Sequence, residues 1–313
     1  MKIAVVTLNP CIDRALYLAK PLRAGDIHRT ERVVENAAGK GLNQAVVFEN
    51  LGTLCDYYSF GSCETGDVTS RFIASHAFRY HATSCACGIR TNVKVIDSDG
   101  VGTEINEAGG PISQAELSAI LNDIDAFEGD IISVCGSVPG GVDKSIYKQI
   151  VASAKQRGMV AVLDADGEAL RAGLLSRPDV IKPNRRELAG LFGMAEAELD
   201  SDEKVISLAR RVLDDYGTTV LCTLDADGSL CVSPEGIFRV GVADVELCGF
   251  AGAGDTYLAS FLHAKYAEGA DMATALSFAA RASGAKIALG GSELPTREQI
   301  EKIPPVKVEK IGS

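Results

Sequence analysis

From Ser113 onward, short apolar runs alternate with stretches whose apolar residues recur at helical spacing, and this rhythm most constrains the fold. Residues 131–135, 160–164, 179–182 and 219–224 suit buried strands, with helices expected over 114–127, 144–157, 186–192 and 203–215. Such alternation specifies an α/β fold, a doubly wound, mostly parallel central sheet flanked by helices. Residues 2–7 are nearly all apolar, as a central strand covered on both faces requires. Further strands are expected at 55–60, 230–232 and 238–240, and further helices over 65–79, 255–266, 272–289 and from Gly39-Lys40-Gly41 onward. Two stretches, about 10–36 and 87–107, break the rhythm. They hold Leu16-Tyr17-Leu18, Arg32-Val33-Val34 and a hairpin pattern around Ser98-Asp99-Gly100, and predict a small β-sheet set apart. No repeat, low-complexity tract or long linker divides 1–313, so one domain is expected.

In such folds ligands gather at the carboxyl ends of the strands. Two glycine-rich loops fall at expected helix starts, where unpaired N–H groups and the positive dipole end attract anions. Gly252-Ala253-Gly254-Asp255 precedes an apolar helical face of Leu258, Phe261, Leu262 and Tyr266. Asp255 would repel a phosphate, so it suits a base that removes a proton beside a phosphoryl group in transfer. A helix N-cap is its other reading. In Ala38-Gly39-Lys40-Gly41-Leu42-Asn43, Lys40 either meets a substrate phosphate or points into water from a structural turn. Neither loop has Walker spacing or Gly-x-Gly-x-x-Gly, because Tyr257 and Gln44 stand where the third glycine belongs; this counts against a dinucleotide-binding oxidoreductase.

Asp13, just past the first strand, either accepts bonds from sugar hydroxyls or serves a turn. Arg90 offers a planar fork for phosphate, or is an edge arginine in solvent. In Lys182-Pro183-Asn184-Arg185-Arg186-Glu187, Asn184 and Glu187 either reach a hydrated Mg²⁺ or cap a helix. The net charge of -11 argues against a nucleic-acid surface. No apolar run has the length to span a bilayer, and the expected compartment is the cytosol. Nine cysteines without a Cys-x-x-Cys pair and four scattered histidines give no zinc spacing and suggest reduced thiols.

Together and in order, these segments resemble the phosphofructokinase-B group of the ribokinase-like sugar kinases. The likeness is carried by Thr7-Leu8-Asn9-Pro10 with Asp13, Ala38-Gly39-Lys40-Gly41-x-Asn43, Arg90-Thr91-Asn92-Val93-Lys94 and Thr103-Glu104-Ile105-Asn106. It continues through Gly136-Ser137, Gly167-Glu168-Ala169-Leu170, Lys182-Pro183-Asn184-x-x-Glu187 and Gly252-Ala253-Gly254-Asp255. The resemblance is strongest toward members that phosphorylate fructose 1-phosphate and tagatose 6-phosphate. It implies ATP- and Mg²⁺-dependent phosphorylation of a ketohexose phosphate, foremost fructose 1-phosphate to fructose 1,6-bisphosphate, with tagatose 6-phosphate or fructose 6-phosphate as the alternative acceptor.

It also implies residue roles. Asp255 would be the base, and the N–H groups of Ala253, Gly254 and Asp255, in the loop begun by Gly252, the anion hole. Asp13, Gly39 and Asn43 would hold the sugar, and Lys40 with Arg90 the phosphate it already carries; a free sugar would leave two cations without a partner. Lys182, Asn184 and Glu187 would organise Mg²⁺ and the nucleotide phosphates, Glu187 through water or phosphate. Thr223 and Gly228 would approach ATP. The stretches 10–36 and 87–107 match a β-lid that covers the sugar and pairs subunits as a homodimer. Departures from the pattern are Asp225 in Thr223-Leu224-Asp225-Ala226-Asp227-Gly228, where these kinases read Ser-Leu-Gly-x-x-Gly, Val138-Pro139-Gly140, Phe250 and Gly290-Gly291-Ser292. Asp225 motivates a reading from another class, a sugar-phosphate-binding protein with a weakened nucleotide site.

Overall fold

The computed structural model describes residues 1–61, 68–249, 251–289 and 291–313. The chain begins with β1 (Lys2–Thr7), β2 (Cys11–Leu18), β3 (Thr30–Ala38), α1 (Lys40–Asn50), β4 (Leu54–Gly61), α2 (Val68–Ile73), β5 (Arg79–Ser84), β6 (Arg90–Ile96) and β7 (Gly102–Asn106). The alternating part follows as α3 (Gln114–Asp125), β8 (Ile131–Cys135), α4 (Ile146–Gln156), β9 (Val160–Asp164), α5 (Gly167–Leu174), β10 (Val180–Ile181) and α6 (Arg185–Leu191). Next come α7 (Asp202–Tyr216), β11 (Thr219–Thr223), β12 (Ser229–Ser233), β13 (Gly236–Val240), α8 (Ala253–Leu262), α9 (Met272–Leu289), α10 (Arg297–Lys302) and β14 (Val308–Gly312).

Among the described residues ten strands form one sheet in the order β14-β13-β12-β11-β10-β9-β8-β1-β4-β5. Pairing is parallel from β11 across to β5 and antiparallel from β11 out to β14. The chain leaves β1 toward β4 and β5, then returns to β8 on the other side of β1 and proceeds outward. Right-handed crossovers in opposite directions put helices on opposite faces. Ile3 and Val5 accordingly pack with Leu42 and Phe48 of α1 and Leu258 and Phe261 of α8, whereas Ala4 and Val6 pack with Ile120 of α3, Ile150 of α4 and Val212 of α7. Two covered faces explain why residues 2–7 show no apolar–polar alternation. Where the strand order reverses, the loops at the carboxyl ends part into a crevice.

The stretches that broke the rhythm form the second sheet, β3-β2-β6-β7. Its central pair is parallel, with Cys11 opposite Arg90, Asp13 opposite Asn92 and Ala15 opposite Lys94. No described helix is long and apolar enough to cross a membrane, and eight described cysteines are free.

The helix expected over 65–79 is corrected. Its start at Thr65, Gly66 and Asp67 lies outside the described residues, α2 ends at Ile73, and Arg79–Ser84 is an edge strand paired with β4. The mixed polarity of Tyr80-His81-Ala82-Thr83 hides that strand, because an edge is covered less completely than a centre. Phe250 and Gly290 also lie outside the described residues.

Candidate active site

The heads of α1 and α8 meet beside the carboxyl ends of β9 and β10. Gly41 makes that approach possible: a Cβ there would come within 2.0 Å of Thr7 Oγ1, so α1 lies tight against the end of β1. Gly252 precedes α8 in a left-handed conformation, φ +81°, which costs an L side chain about 1–2 kcal/mol. Its carbonyl accepts from Thr256 N at 2.9 Å and from Thr256 Oγ1 at 2.8 Å, closing the first turn.

Asp255 sits in that first turn and is 8 % exposed. Asn43 Nδ2 donates to Asp255 Oδ2 at 2.8 Å, joining the two helix heads. The N-cap position belongs to Gly252, so the capping role considered for Asp255 is not the one it has. Behind it lies Asp164, fully buried at the end of β9. Lys40 Nζ donates to Asp164 Oδ1 at 2.8 Å, and Lys182 Nζ stands 3.5 Å from Oδ2. Lys182 also backs the glycine loop, since a Cβ on Gly254 would lie 3.3 Å from its Nζ. Glu187 Oε1 is 4.0 Å from Lys40 Nζ.

This cluster splits two carboxylates. Burial pushes Asp164 up, but Lys182 and Lys40 outweigh it and hold the group below the usual carboxylate range. Burial and the charge of Asp164 push Asp255 up, and the opposing Lys40, Asn43 and Lys182 do not cancel the rise. Burial works against the Lys40 ammonium, yet Asp164, Glu187 and Asp255 hold it charged well above the ordinary lysine value. One acid thus stays ionised between lysines while its neighbour holds a proton more readily, the pattern of a base set apart from its electrostatic support.

On the expected nucleotide side, Asn184 Oδ1 accepts from Glu187 N at 2.8 Å and Asn184 N donates to Glu187 Oε2 at 2.9 Å. The capping box is therefore real, and the other Glu187 oxygen still faces Lys40. Asn184 bridges to Thr223 at the end of β11, where Thr223 N donates to Pro183 O at 3.0 Å. Gly228 turns the chain back, its carbonyl accepting from Leu224 N at 2.8 Å. Asp225 is exposed with φ +51°, a conformation that glycine adopts freely and aspartate tolerates. Among the described residues no three His, Cys, Asp or Glu side chains are grouped to hold a metal ion.

On the expected sugar side, Asp13 Oδ1 accepts from Asn92 Nδ2 at 3.2 Å and Asp13 Oδ2 lies 2.7 Å from Lys94 Nζ. Arg90 donates through Nη1 to Asn92 Oδ1 at 3.1 Å and Glu107 O at 2.8 Å, and through Nε to Asn9 O at 3.4 Å. Cys11 links this cluster to the helix heads: its Sγ accepts from Asn92 Nδ2 at 3.2 Å and lies 3.8 Å from a Cβ on Gly39.

One argument from sequence weakens here. Lys40 Nζ donates to Asp164, and Arg90 donates to Asn92, Glu107 and Asn9, so neither cation lacks a partner in the protein itself, and the reasoning from two unpartnered cations no longer selects a phosphorylated sugar. Asp164 itself was missed. An acid ending the apolar run Val160-Ala161-Val162-Leu163 was its only sequence signal. Asn92 and Lys94 had no assigned role, although register puts them beside Asp13 and Arg90.

Residues 6–299 match the model of the pfkB family carbohydrate kinases. A 1-phosphofructokinase of Haemophilus influenzae is 29 % identical over 98 % of this chain and 99 % of that protein. Phosphofructokinase-2 from Escherichia coli, in complex with substrates and products, superposes with a TM-score of 0.88 at 24 % identity, covering 97 % of this chain and 98 % of that one. A ribokinase from Thermotoga maritima superposes with a TM-score of 0.76 at 20 % identity over 96 % and 98 % of the two chains. The α/β fold is thus ribokinase-like.

Proposed function

The chain belongs to the pfkB family of carbohydrate kinases, and on that premise we propose that it transfers the γ-phosphoryl group of ATP to a hydroxyl of a ketohexose phosphate, foremost fructose 1-phosphate. It is a sugar-phosphate kinase; the named acceptor is our reading. The observation that carries the mechanism is Asp255, with its raised pKa, held by Asn43 at the head of α8. In that reading the acceptor hydroxyl gives its proton to Asp255 as its oxygen bonds to the γ-phosphorus and the bond to ADP breaks. The N–H groups of Ala253, Gly254 and Asp255 receive the charge, with the Lys182 ammonium behind Gly254. A positioned base contributes roughly 10²–10⁴ in rate and one anion-hole donor roughly 10²–10³. Mg²⁺ held mainly through phosphate oxygens needs one or two carboxylates, and Glu187 offers an oxygen free of the capping box; the ion would neutralise phosphate charge.

Lys40, paired with Asp164, serves the transferring side in this reading, and Arg90 the phosphate the sugar already carries. Relatives named 1-phosphofructokinase, 26–30 % identical, support fructose 1-phosphate as acceptor. Residues 1–313 act as one cytoplasmic kinase domain, its four-stranded sheet a lid over the sugar. That sheet also exposes Val33 and Ile105, at 42 % and 62 %, and a second copy covers them in a homodimer. Coupled-assay turnover of fructose 1-phosphate, fructose 6-phosphate, tagatose 6-phosphate and free sugars tests the assignment. The highest kcat/KM is expected with fructose 1-phosphate; better turnover of free ribose, fructose or adenosine than of every sugar phosphate overturns it.

A further inference from the structure

The reaction as derived makes no use of Lys286, a charged side chain only 1 % exposed. It lies in the last turn of α9, and its Nζ donates to Gly291 O at 3.0 Å. Its stem runs under the glycine loop, Cε lying 3.4 Å from a Cβ on Gly252. The next residue reinforces the contact: Ile287 O accepts from Cys248 N at 3.0 Å and Gly249 N at 3.2 Å. The end of α9 therefore backs both the approach to the loop and the glycine that opens α8. Asn43 Nδ2, which holds Asp255, lies 3.3 Å from the same Gly252 position.

An ammonium is costly to bury, and burial pushes Lys286 below the ordinary lysine value, with Glu293 opposing and Lys94 adding to the shift. A methionine would fill the same volume without that cost, so packing does not account for the charge. Charge does develop nearby, on the phosphoryl oxygens received by the loop. We propose that Lys286 is a positioning residue for phosphoryl transfer: it ties the segment after α9 beneath Gly252, keeps the anion loop in its receiving shape, and sets a fixed positive charge behind it. This rests on the kinase reading above.

The test is kinetics of the full-length protein with ATP, Mg²⁺ and fructose 1-phosphate, comparing wild type with Lys286→Met. The variant is expected to keep KM for the sugar phosphate within about twofold and to lose kcat by about 10–10²-fold. Ammonium or methylammonium should restore kcat several-fold in Lys286→Ala, whose shortened side chain leaves room for the amine, and leave wild type unchanged. A lysine that merely caps α9 would lower the melting temperature without a selective kcat loss or an amine response. A kcat within about twofold of wild type, or a loss that amines do not relieve in Lys286→Ala, overturns the proposal. If the methionine variant does not fold, Lys286→Gln, which keeps a donor for the Gly291 carbonyl, is judged by the same kcat and KM criteria. Wild type inactive with every sugar phosphate would instead overturn the kinase reading.

Discussion

Asp164 and Asp255 are the same functional group in one cluster, and their surroundings set them to opposite tasks. The folded-state pKa of Asp164 is lowered, so its contribution to stability is present above the unfolded pKa and is lost as pH falls through the folded one. That of Asp255 is raised, so the group favours the fold below its unfolded pKa and loses that contribution as pH rises through the folded value. Above its folded-state pKa the ionised Asp255 is thus a cost to the fold. Thermal melts should show this opposition. Asp164→Asn strands the Lys40 and Lys182 ammoniums and should destabilise by about 3–5 kcal/mol. Asp255→Asn should melt no lower than wild type above the folded-state pKa of Asp255, and that difference should shrink in acid. Equal losses for both variants would contradict the assignment. Sequence singled out Asp255 because a carboxylate after two glycines at a helix head conflicts with anion binding. Asp164 was not legible, because its partners come to it from the head of α1, for Lys40, and the end of β10, for Lys182, and nothing local marks it.

At the scale of elements, the site depends on how closely α1 lies against β1. Gly41→Ala drives a Cβ into Thr7 Oγ1 and should cost about 1–3 kcal/mol by overpacking. Because Lys40 and Asn43 ride on the same turn, kcat/KM should also fall by about 10²-fold, as a misplacement near 1 Å implies. Unchanged kinetics would mean that α1 does not position the site. Both glycine loops were legible as helix starts, and the pair Asn184 and Glu187 as a capping box. Less was legible where elements are short or at edges. Gly167–Leu174 is too short to show a helical period, and Val308–Gly312 is an edge strand rich in polar residues. The helix expected to reach residue 79 ends at Ile73, where Ser75 N donates to Phe72 O and His76 N to Ile73 O in closing turns, and the strand Arg79–Ser84 follows.

At the scale of the whole molecule, reversal of strand order at β1 gathers the ends of β1, β8, β9 and β10 beneath the heads of α1 and α8. The alternation from Ser113 onward carried that architecture in the sequence, and the two stretches lacking it became the second sheet. What the sequence did not carry was which cation faces which anion, since that depends on strand register and helix approach. Central to the account is that Asp255 takes the acceptor's proton as the phosphoryl group moves. The most direct measurement is transfer of labelled γ-phosphate from ATP to fructose 1-phosphate by wild type and Asp255→Asn, with binding of the sugar phosphate measured in parallel. Binding should be kept while the transfer rate falls by about 10²-fold or more; transfer at the wild-type rate by the asparagine variant would contradict the account.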